Sequence, residues 1–443
     1  MRVAVPAWRG ASARIPAVTT TSSDIDVLSY CRDLAQRAQV AGRELVRSRG
    51  EQRAQALHRI ADRLVASEGE LLSANALDLE AGRAAGLAPA MLDRLKLDPR
   101  RLRAMADSVR QVAQQPDPVG QVIEGSIRPN GLRLQKVRVP IGVVLIIFES
   151  RPNVTSDAAA LCLKSGNAAI LRGGKEAAHS NAAIARAVRA GLEDAGLCPD
   201  AVQVVETADR SAVGHLLRME GLIDLAIPRG GESLIRAVVE QARIPVIKHY
   251  TGNCHVYVDA RCDADMAVAI CVNAKAQRPG VCNAAETILI HQDAARAGLL
   301  PRICEALGSK GVEVRGDDAV RAAYPSARAV SEDDWGREFL DLIVAMGVVP
   351  SLDAAVTHIN RYGSKHTDAI VTADLAAADR FVRDVDSANV FVNCSTRLSD
   401  GGEYGLGAEI GISTDKLHAR GPMGAADLTT YKWVGHGEGQ LRS

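Results

Sequence analysis

The feature that most constrains how this chain folds is a regular alternation of short apolar runs with helical stretches, beginning near residue 141. The apolar runs fall at 142–147, 168–171, 202–205, 222–227 and 246–247, and helical patterns near 154–164, 176–195, 209–219 and 231–242 lie between them. A second round of the same kind, with a helix expected over 294–307, runs from 256 to about 393. This alternation predicts parallel, doubly wound sheets with right-handed crossovers, arranged as two α/β domains.

The chain before this alternation is helical and ends in a hairpin signal. Helical periodicity covers about 24–46, 51–67, 69–84 and 99–114. The segment 127–132 then reads Ile-Arg-Pro-Asn-Gly-Leu, in which Asn130-Gly131 favours a tight β-hairpin. Because it interrupts the pattern, we expect this hairpin to form an inserted arm.

Composition excludes several classes of protein. The 53 Lys and Arg residues balance 53 Asp and Glu residues, so no basic field is available for nucleic acid or an anionic membrane. The longest apolar run, about 143–148, is far shorter than the roughly 20 residues of a membrane span. Nine cysteines with irregular spacing and no CxxC pair argue against disulfides and zinc ribbons, and we expect a reducing cytoplasm.

Residues 1–23 differ from the rest of the chain. They contain Arg2, Arg9 and Arg14, several Ser and Thr residues, and no acidic residue. A transit peptide has this bias, but a tail or an early start codon explains it equally well. We expect a flexible N-terminal tail.

Common phosphate-binding and hydrolase motifs are absent, and one loop stands out instead. The chain has no GxxxxGK[ST], HExxH or GxSxG sequence, and Gly405-Leu-Gly407 resembles a glycine-rich turn more than a dinucleotide fingerprint. Cys282 follows Pro279 and Gly280 and precedes an apolar strand. A thiolate flanked by small residues is accessible as a nucleophile, although a single cysteine is more often a small core residue.

Six motifs in register identify a family. They are 149–155 (ESRPNVT), 170–175 (ILRGGK), 249–255 (HYTGNCH), 279–283 (PGVCN), 358–368 (HINRYGSKHTD) and 418–423 (HARGPM). Over about 24–434 the chain resembles the gamma-glutamyl phosphate reductases, which belong to the aldehyde dehydrogenase superfamily and catalyse the second step of proline synthesis. Each motif is only suggestive, but together they are specific.

The resemblance implies a division of the chain. It implies a cofactor-binding α/β domain from 24–126 and 140–251, a catalytic α/β domain from 252–400, and a return segment at 401–423. Residues 127–139 and 424–443 are then the arm through which such enzymes oligomerise. We therefore expect a homo-oligomer, at least a dimer.

The resemblance also implies the chemistry. Cys282 matches the family nucleophile, whose thiolate attacks an acyl phosphate, expels phosphate and leaves a thioester that a hydride reduces to the aldehyde. Asn153 matches the asparagine that stabilises the oxyanion, with the Cys282 backbone N–H as second donor. Asn153 also suits the first turn of a helix after Pro152.

The cofactor expected from the resemblance is NADPH. Arg172 and Lys175 fall where relatives contact the adenosine ribose, and a cation at Lys175 favours a 2′-phosphate over free hydroxyls. An exposed helix start is the alternative for Lys175. Gly230 and Gly231 would admit the pyrophosphate, and Glu338 is a candidate for the nicotinamide ribose.

One departure from the superfamily concerns water. Hydrolytic aldehyde dehydrogenases have a glutamate that activates water for deacylation, whereas residues 250–253 here read Tyr-Thr-Gly-Asn. A thioester that must survive until hydride transfer is safer without this base. The departure favours an acyl-phosphate reductase over a water-using dehydrogenase.

The substrate, L-glutamyl 5-phosphate, carries two kinds of anionic group and so needs cations. The candidates lie beside Cys282, in the 149–155 motif, and after a strand of the second domain: Arg278, Lys275, Arg151, Ser395, Thr396 and Arg397. For Arg397, an exposed surface position is equally plausible.

The histidines of the 358–368 motif are interpreted as structural. His358, His366 and Asp368 suggest a metal or a base, but the superfamily mechanism needs no metal, and two histidines eight positions apart have a poor ligand spacing. We expect no metal.

Two other functions remain open. A coenzyme A-acylating dehydrogenase keeps the fold but changes the acyl acceptor, and a silent homologue would act only as a binding protein. Because about 23 residues precede the matching region, we expect the glutamate 5-kinase of the preceding step to be a separate chain, in transient contact at most.

Overall fold

A computed structural model describes residues 22–442 of the chain. The helices are α1 Ser22–Leu45, α2 Gly50–Ala66, α3 Glu68–Ala84, α4 Pro89–Leu95, α5 Pro99–Gln114, α6 Asn153–Lys164, α7 Ala178–Asp194, α8 Ser211–Leu216, α9 Glu232–Gln241, α10 Ala264–Ala276, α11 Gln292–Arg296, α12 Leu299–Gly308, α13 Asp318–Ala323, α14 Glu332–Trp335, α15 Leu352–Tyr362 and α16 Leu375–Asp384. The predicted tail lies outside the described residues, apart from residues 22 and 23, which begin α1.

Strands β1 to β16 form four sheets. Their bounds are β1 Val122–Ile127, β2 Arg133–Pro140, β3 Val143–Phe148, β4 Ala168–Arg172, β5 Val202–Val204, β6 Leu225–Arg229, β7 Cys254–Val258, β8 Ala285–His291, β9 Glu313–Gly316, β10 Arg328–Ala329, β11 Ile343–Val349, β12 Thr367–Val371, β13 Asn389–Val392, β14 Gly411–Ser413, β15 Gly421–Met423 and β16 Thr429–His436. The two larger sheets are parallel, which confirms the predicted fold class.

The first parallel sheet has the strand order β5-β4-β3-β6. Every residue of β3 is buried, because helices cover both faces. Val144 and Ile146 belong to one core cluster, which includes residues of α2, α5, α6 and α7, whereas Val143 and Leu145 belong to a second cluster with residues of α1 and α8. From β3 the chain adds β4 and β5 on one side of the sheet and then returns to add β6 on the other side of β3. A crevice is expected at the carboxyl ends of β3 and β6, where the strand order reverses.

The second parallel sheet has the order β10-β9-β11-β8-β7-β12-β13. Its strands lie between residues 254 and 392, and two further core clusters pack on its faces. Because all its strands run in one direction, the residues that precede β7, β8, β11 and β12 meet at the amino edge of the sheet.

The predicted hairpin is the turn of a three-stranded antiparallel sheet with the order β1-β2-β16. At the turn, Arg128 N–H donates to the Leu132 carbonyl (2.8 Å) and Gly131 adopts a φ of 83°. The C-terminal strand β16 pairs with β2 from Thr429↔Pro140 to His436↔Arg133. Whether this sheet joins subunits stays a prediction.

Three local features differ from the expected pattern. Helix α4, which begins with Pro89 in its first turn, had no counterpart in the periodicity. The helix expected over 294–307 is two helices, α11 and α12, because Gly298 between them has a φ of 85°. The apolar run at 246–247, predicted as a strand, forms only an isolated parallel bridge between Val246 and Ala226. None of these differences changes the order of the strands.

All nine cysteines are free thiols, in agreement with the expected absence of a disulfide framework. Within residues 22–442, no helix is long and apolar enough to cross a membrane.

Candidate active site

A cavity of about 1740 Å³ lies where the carboxyl edge of the first parallel sheet faces the amino edge of the second. Glu149 and Arg229, at the ends of β3 and β6, line it from one side. Cys282 and Glu338, which precede β8 and β11, line it from the other. The cavity therefore brings together parts of the chain that are far apart in sequence.

The nucleophile loop, residues 277–284 between α10 and β8, is held tightly against the chain before β7. A Cβ at Gly252 would lie 2.0 Å from the Cys282 carbonyl oxygen, so only glycine fits there. The Cys254 thiol donates to the same carbonyl over 3.2 Å. Cys282 itself is half-buried and faces the cavity.

Arg397 braces both ends of this loop. Its Nε donates to the Gln277 side chain over 2.9 Å, and its Nη1 donates to the Asn283 side chain. Asn283 in turn donates to the Ser399 carbonyl over 2.8 Å. Arg397 lines the cavity as predicted, but two of its nitrogens already position the loop.

Lys275 does not line the cavity, so the structure does not support its predicted contact with substrate. Its fully buried ammonium lies 2.6 Å from the equally buried Glu286 carboxylate. Burial lowers the pKa of Lys275 and raises that of Glu286, while their contact opposes both shifts. Lys275 lies four residues after the core residue Cys271, and this helical spacing was the signal that it points inward.

Ser395 and Thr396 also lie away from the cavity lining. Both are buried, and the Ser395 hydroxyl accepts a hydrogen bond from the Arg397 backbone N–H over 3.3 Å. The structure therefore gives them a place beneath Arg397 rather than at the predicted substrate contact.

Arginines crowd the cavity near Cys282. Arg151 and Arg278 line it as predicted, and they are joined by Arg94 from α4 and Arg229 from β6, which sequence reasoning missed. Desolvation in the cavity, with the neighbouring cations Arg229, Arg94 and Arg278, lowers the pKa of Arg151 to about 10. Arg94 also donates to the Gly280 carbonyl over 3.4 Å. Such a concentration of positive charge suits an anionic ligand.

Asn153 is the exposed first residue of α6; it is not itself among the cavity-lining residues, although the nearby Arg151 and Val154 are. Its Nδ2 donates to the Asp157 carboxylate over 2.9 Å. Desolvation raises the pKa of Asp157 to about 6. Because an amide nitrogen carries two hydrogens, one N–H of Asn153 remains for an oxyanion.

A second group of cations lines the cavity beyond β4. Arg172, partly buried, has its Nε hydrogen enclosed without a partner, and Lys175 is exposed at the start of a 3₁₀ turn. Arg210, which sequence reasoning missed, lies close enough to help lower the pKa of Arg172, although desolvation is the main cause. An unsatisfied buried donor among cations fits a phosphate-bearing cofactor.

The predicted pyrophosphate position lies at the start of α9. A Cβ at Gly230 would lie 2.3 Å from the Glu149 carboxylate, and Gly231 N–H donates to that carboxylate over 3.0 Å. Nothing lies within 4 Å of a Cβ built on Gly231, so a ligand has access on that side.

Glu338 lines the cavity beside the nucleophile loop. Its Oε1 accepts a hydrogen bond from Gly252 N–H over 2.9 Å, and burial raises its pKa. The carboxylate therefore orders the backbone against which Cys282 rests.

The histidines of the 358–368 motif divide into two environments. His358 packs edge-on against Trp335 and His255, with ring centroids 4.9 Å and 5.7 Å away, and Asp368 accepts from the backbone N–H of His255 (2.8 Å). These contacts agree with the structural interpretation of His358 and Asp368. His366 instead lies beside Cys282 and His249, with one donor atom from each residue within 4.8 Å of the others.

Comparison with known proteins identifies the family of the chain. The model of the aldehyde dehydrogenase family matches residues 18–320. A gamma-glutamyl phosphate reductase of Sorangium cellulosum is 56% identical over 425 residues, which is 95% of this chain and 99% of that protein. One from Geobacter metallireducens is 57% identical over 86% of this chain and 90% of its own length.

Solved structures give the same assignment. The crystal structure of a gamma-glutamyl phosphate reductase from Thermotoga maritima is 43% identical, covers 93% of this chain and 100% of its own, and superposes with a TM-score of 0.91. An acetylating aldehyde dehydrogenase from Geobacillus thermoglucosidasius, 15% identical over 96% of this chain and 100% of its own, shares the fold alone, with a TM-score of 0.68. The chain is thus an oxidoreductase that belongs to the gamma-glutamyl phosphate reductase family, within the aldehyde dehydrogenases.

Proposed function

We propose that this enzyme reduces L-glutamyl 5-phosphate to L-glutamate 5-semialdehyde and phosphate, with NADPH as reductant and a thioester on Cys282 as intermediate. The observation that carries the proposal is the single cavity in which Cys282 lies among arginines while a separate group of cations lines the same cavity beyond β4. The first group suits an acyl phosphate, and the second suits a phosphorylated cofactor.

The thiolate of Cys282 attacks the acyl carbon, the carbon–oxygen bond to phosphate breaks, and a thioester forms. Negative charge appears on the former carbonyl oxygen, where the second N–H of Asn153 and the Cys282 backbone N–H serve as donors. Arg151 and Arg278 hold the departing phosphate, and the remaining Nη2 of Arg397 is free for the substrate carboxylate.

The residues of the second cation group fit NADPH. When bound, NADPH would supply a hydride to the carbonyl carbon of the Cys282 thioester, and the resulting thiohemiacetal anion would expel the Cys282 thiolate to leave the aldehyde. Arg172 and Lys175, with Arg210, hold the 2′-phosphate, Gly231 leaves access for the pyrophosphate, and Glu338 binds the nicotinamide ribose.

The surroundings of the thioester favour phosphate over water as its partner. Residues 250–253 contain no carboxylate, and one oxygen of Glu338 is already committed to Gly252 N–H. A carboxylate that could activate water is therefore poorly provided. Coenzyme A acylation is the second candidate, because it would use the same cysteine thioester with a different acyl acceptor.

The β1-β2-β16 sheet supports a homo-oligomer. Tyr431 and Trp433 are exposed on one of its faces, 47% and 55% respectively, and Lys136 caps the Tyr431 ring at 3.9 Å. Exposed aromatic side chains on one face of a small sheet are typical of a surface that another copy covers. A separate glutamate 5-kinase is proposed only as a transient partner.

The reverse reaction tests the proposed activity. Enzyme, L-glutamate 5-semialdehyde and NADP⁺ are mixed with phosphate, with coenzyme A, or with neither, and cofactor absorbance is followed. NADP⁺ reduction that requires phosphate supports the proposal. Turnover that requires coenzyme A, or that proceeds with neither, would replace it with an acylating or a hydrolytic dehydrogenase.

A further inference from the structure

Two histidines flank the cysteine at the centre of the cavity, and the mechanism above uses neither. His249 precedes β7, Cys282 precedes β8 and His366 precedes β12, so the amino edge of one sheet collects all three. One nitrogen from each ring and the Cys282 sulfur lie within 4.8 Å of one another. The rings of His249 and His366 meet edge to face, with centroids 5.4 Å apart.

The outer partners of both rings leave the Nε2 lone pairs available. The Nδ1 of His249 lies 2.9 Å from the Ile412 carbonyl oxygen, which only accepts, so Nδ1 carries the proton and Nε2 the lone pair. The Nδ1 of His366 lies 2.9 Å from the Thr367 hydroxyl, and that hydroxyl lies 2.9 Å from Ser399 Oγ. Since the Thr367 hydroxyl donates to Ser399 Oγ, it accepts from Nδ1–H of His366, and the Nε2 of His366 carries the lone pair.

The Nε2 of His366 is the unusual atom of this group. His366 is fully buried, and its Nε2 is enclosed without any hydrogen-bond partner among the described residues. Buried polar atoms normally have partners, so the enclosed Nε2 leaves a place for a ligand on a ring that lies beside a thiol and a second imidazole.

We propose that Cys282, His249 and His366 form a binding site for a borderline-soft divalent cation such as Zn²⁺, and that occupation of this site inhibits the enzyme. Two imidazole nitrogens and one thiolate are a preferred zinc donor set, with the fourth position open to the cavity. The hydrogen bonds to Ile412 and Thr367 orient the rings as outer partners of metal-bound histidines do.

Binding replaces the thiol proton. The S–H bond of Cys282 breaks, the proton passes to solvent, and the sulfur–metal bond forms, with no change in oxidation state. Donor atoms of a tetrahedral zinc site lie roughly 3.5 Å apart, so side-chain shifts of about 1 Å close the site. His249 lines the cavity and has room to make this movement. The inhibitory consequence rests on the proposed role of Cys282, whereas the binding itself does not.

Zn²⁺ binding is measured in the absence of substrate. A negative result then counts against the metal site and not against the proposed reaction. Zn²⁺ is titrated into the full-length enzyme against a competing chelator, and Cd²⁺ is used as a second probe for its thiolate charge-transfer absorption. We expect one Zn²⁺ to bind per enzyme chain. We also expect a Cd²⁺–thiolate absorption band in the wild-type enzyme that is absent from Cys282→Ser. Absence of that band in the wild-type enzyme would overturn the proposal.

The histidines separate this site from ordinary capture of zinc by a reactive thiol. His249→Ala and His366→Gln should each weaken Zn²⁺ binding by at least about 10-fold. His58→Ala, an exposed change on α2, should bind Zn²⁺ as the wild type does. Wild-type affinity in both His249→Ala and His366→Gln would show that the cysteine binds alone, which contradicts the proposal. Because His249 is only half-buried, His249→Ala tests the site even if His366→Gln does not fold.

Discussion

At Cys282, the backbone of Gly252 lies so close that any side chain there would collide with the carbonyl of the nucleophile loop. The contact joins two segments 30 residues apart, each immediately before a strand of the same sheet. The small residues around Cys282 drew attention to it, but only the family resemblance assigned it as the nucleophile. The sequence identified Gly252 only as a member of the 249–255 motif. The position of a glycine in the sequence does not indicate which distant backbone segment packs against it.

Gly252→Ala should lower kcat by about 100-fold or more, because the added Cβ displaces the Cys282 loop by about 1 Å from its reactive position. The matched control is Gly280→Ala in the same loop, where the nearest atom to a built Cβ is the Leu340 carbonyl oxygen at 3.7 Å, an ordinary contact. Steady-state kinetics on both variants checks this prediction. Equal activities in the two variants would contradict the steric account.

Lys175→Ala should raise the KM for NADPH by about 10-fold or more and leave the KM for NADH nearly unchanged, because a charge-assisted hydrogen bond to the 2′-phosphate contributes about 1.5–3 kcal/mol. Lys310→Ala, at an exposed position outside the cavity lining, is the control. Kinetics with each cofactor measures the difference. A proportional rise in both KM values would instead place Lys175 away from the 2′-phosphate.

At the scale of elements, the alternation of apolar runs and helical stretches predicted the strands because buried parallel strands are continuous apolar runs. It did not predict α4 or the break at Gly298, where a short helix and a single left-handed residue leave little periodicity. The cavity arginines were likewise predicted only in part. Arg278 was predicted because it lies beside Cys282 and Arg397 because it follows a strand, whereas Arg94 reaches the cavity only through tertiary packing.

The buried pair between α10 and β8 tests how these elements hold the nucleophile loop. Glu286→Ala should lower the free energy of unfolding by about 3–5 kcal/mol, because it leaves the Lys275 ammonium buried and unpaired. Replacing both residues, Lys275→Met with Glu286→Leu, should recover most of that loss. Urea denaturation gives these values.

The control is Arg302→Ala, which breaks an exposed contact with Asp265 and should change stability by less than about 0.5 kcal/mol. A Glu286→Ala variant as stable as Arg302→Ala would show that the buried Lys275–Glu286 pair does not stabilise the packing of α10 on β8.

At the scale of the whole molecule, two sheets divide the chemistry. The carboxyl edge of the first sheet presents the glycines and cations expected for a cofactor, and the amino edge of the second presents Cys282. The family resemblance predicted this division. The way in which the two edges enclose one cavity required the structure, because periodicity describes elements singly and not how their edges meet.

The β1-β2-β16 sheet gives a prediction at this scale. Trp433→Lys should shift the enzyme towards smaller species, because it places charge on the exposed apolar surface that a second copy would cover. Thr430→Lys, on the opposite face of β16 by strand alternation, is the matched control. Light scattering after size-exclusion chromatography gives the masses. Equal masses for wild type and Trp433→Lys would show that this face of the β1-β2-β16 sheet does not join the subunits.

The central claim is that Cys282 carries the acyl group, and intact-protein mass spectrometry tests it directly. Enzyme is incubated with L-glutamate 5-semialdehyde and NADP⁺ in phosphate-free buffer, then with phosphate. The account predicts an acyl adduct that peptide mapping places on Cys282, that phosphate removes, and that Cys282→Ala lacks. Production of NADPH without any adduct on Cys282, or with an adduct on another residue, would contradict it.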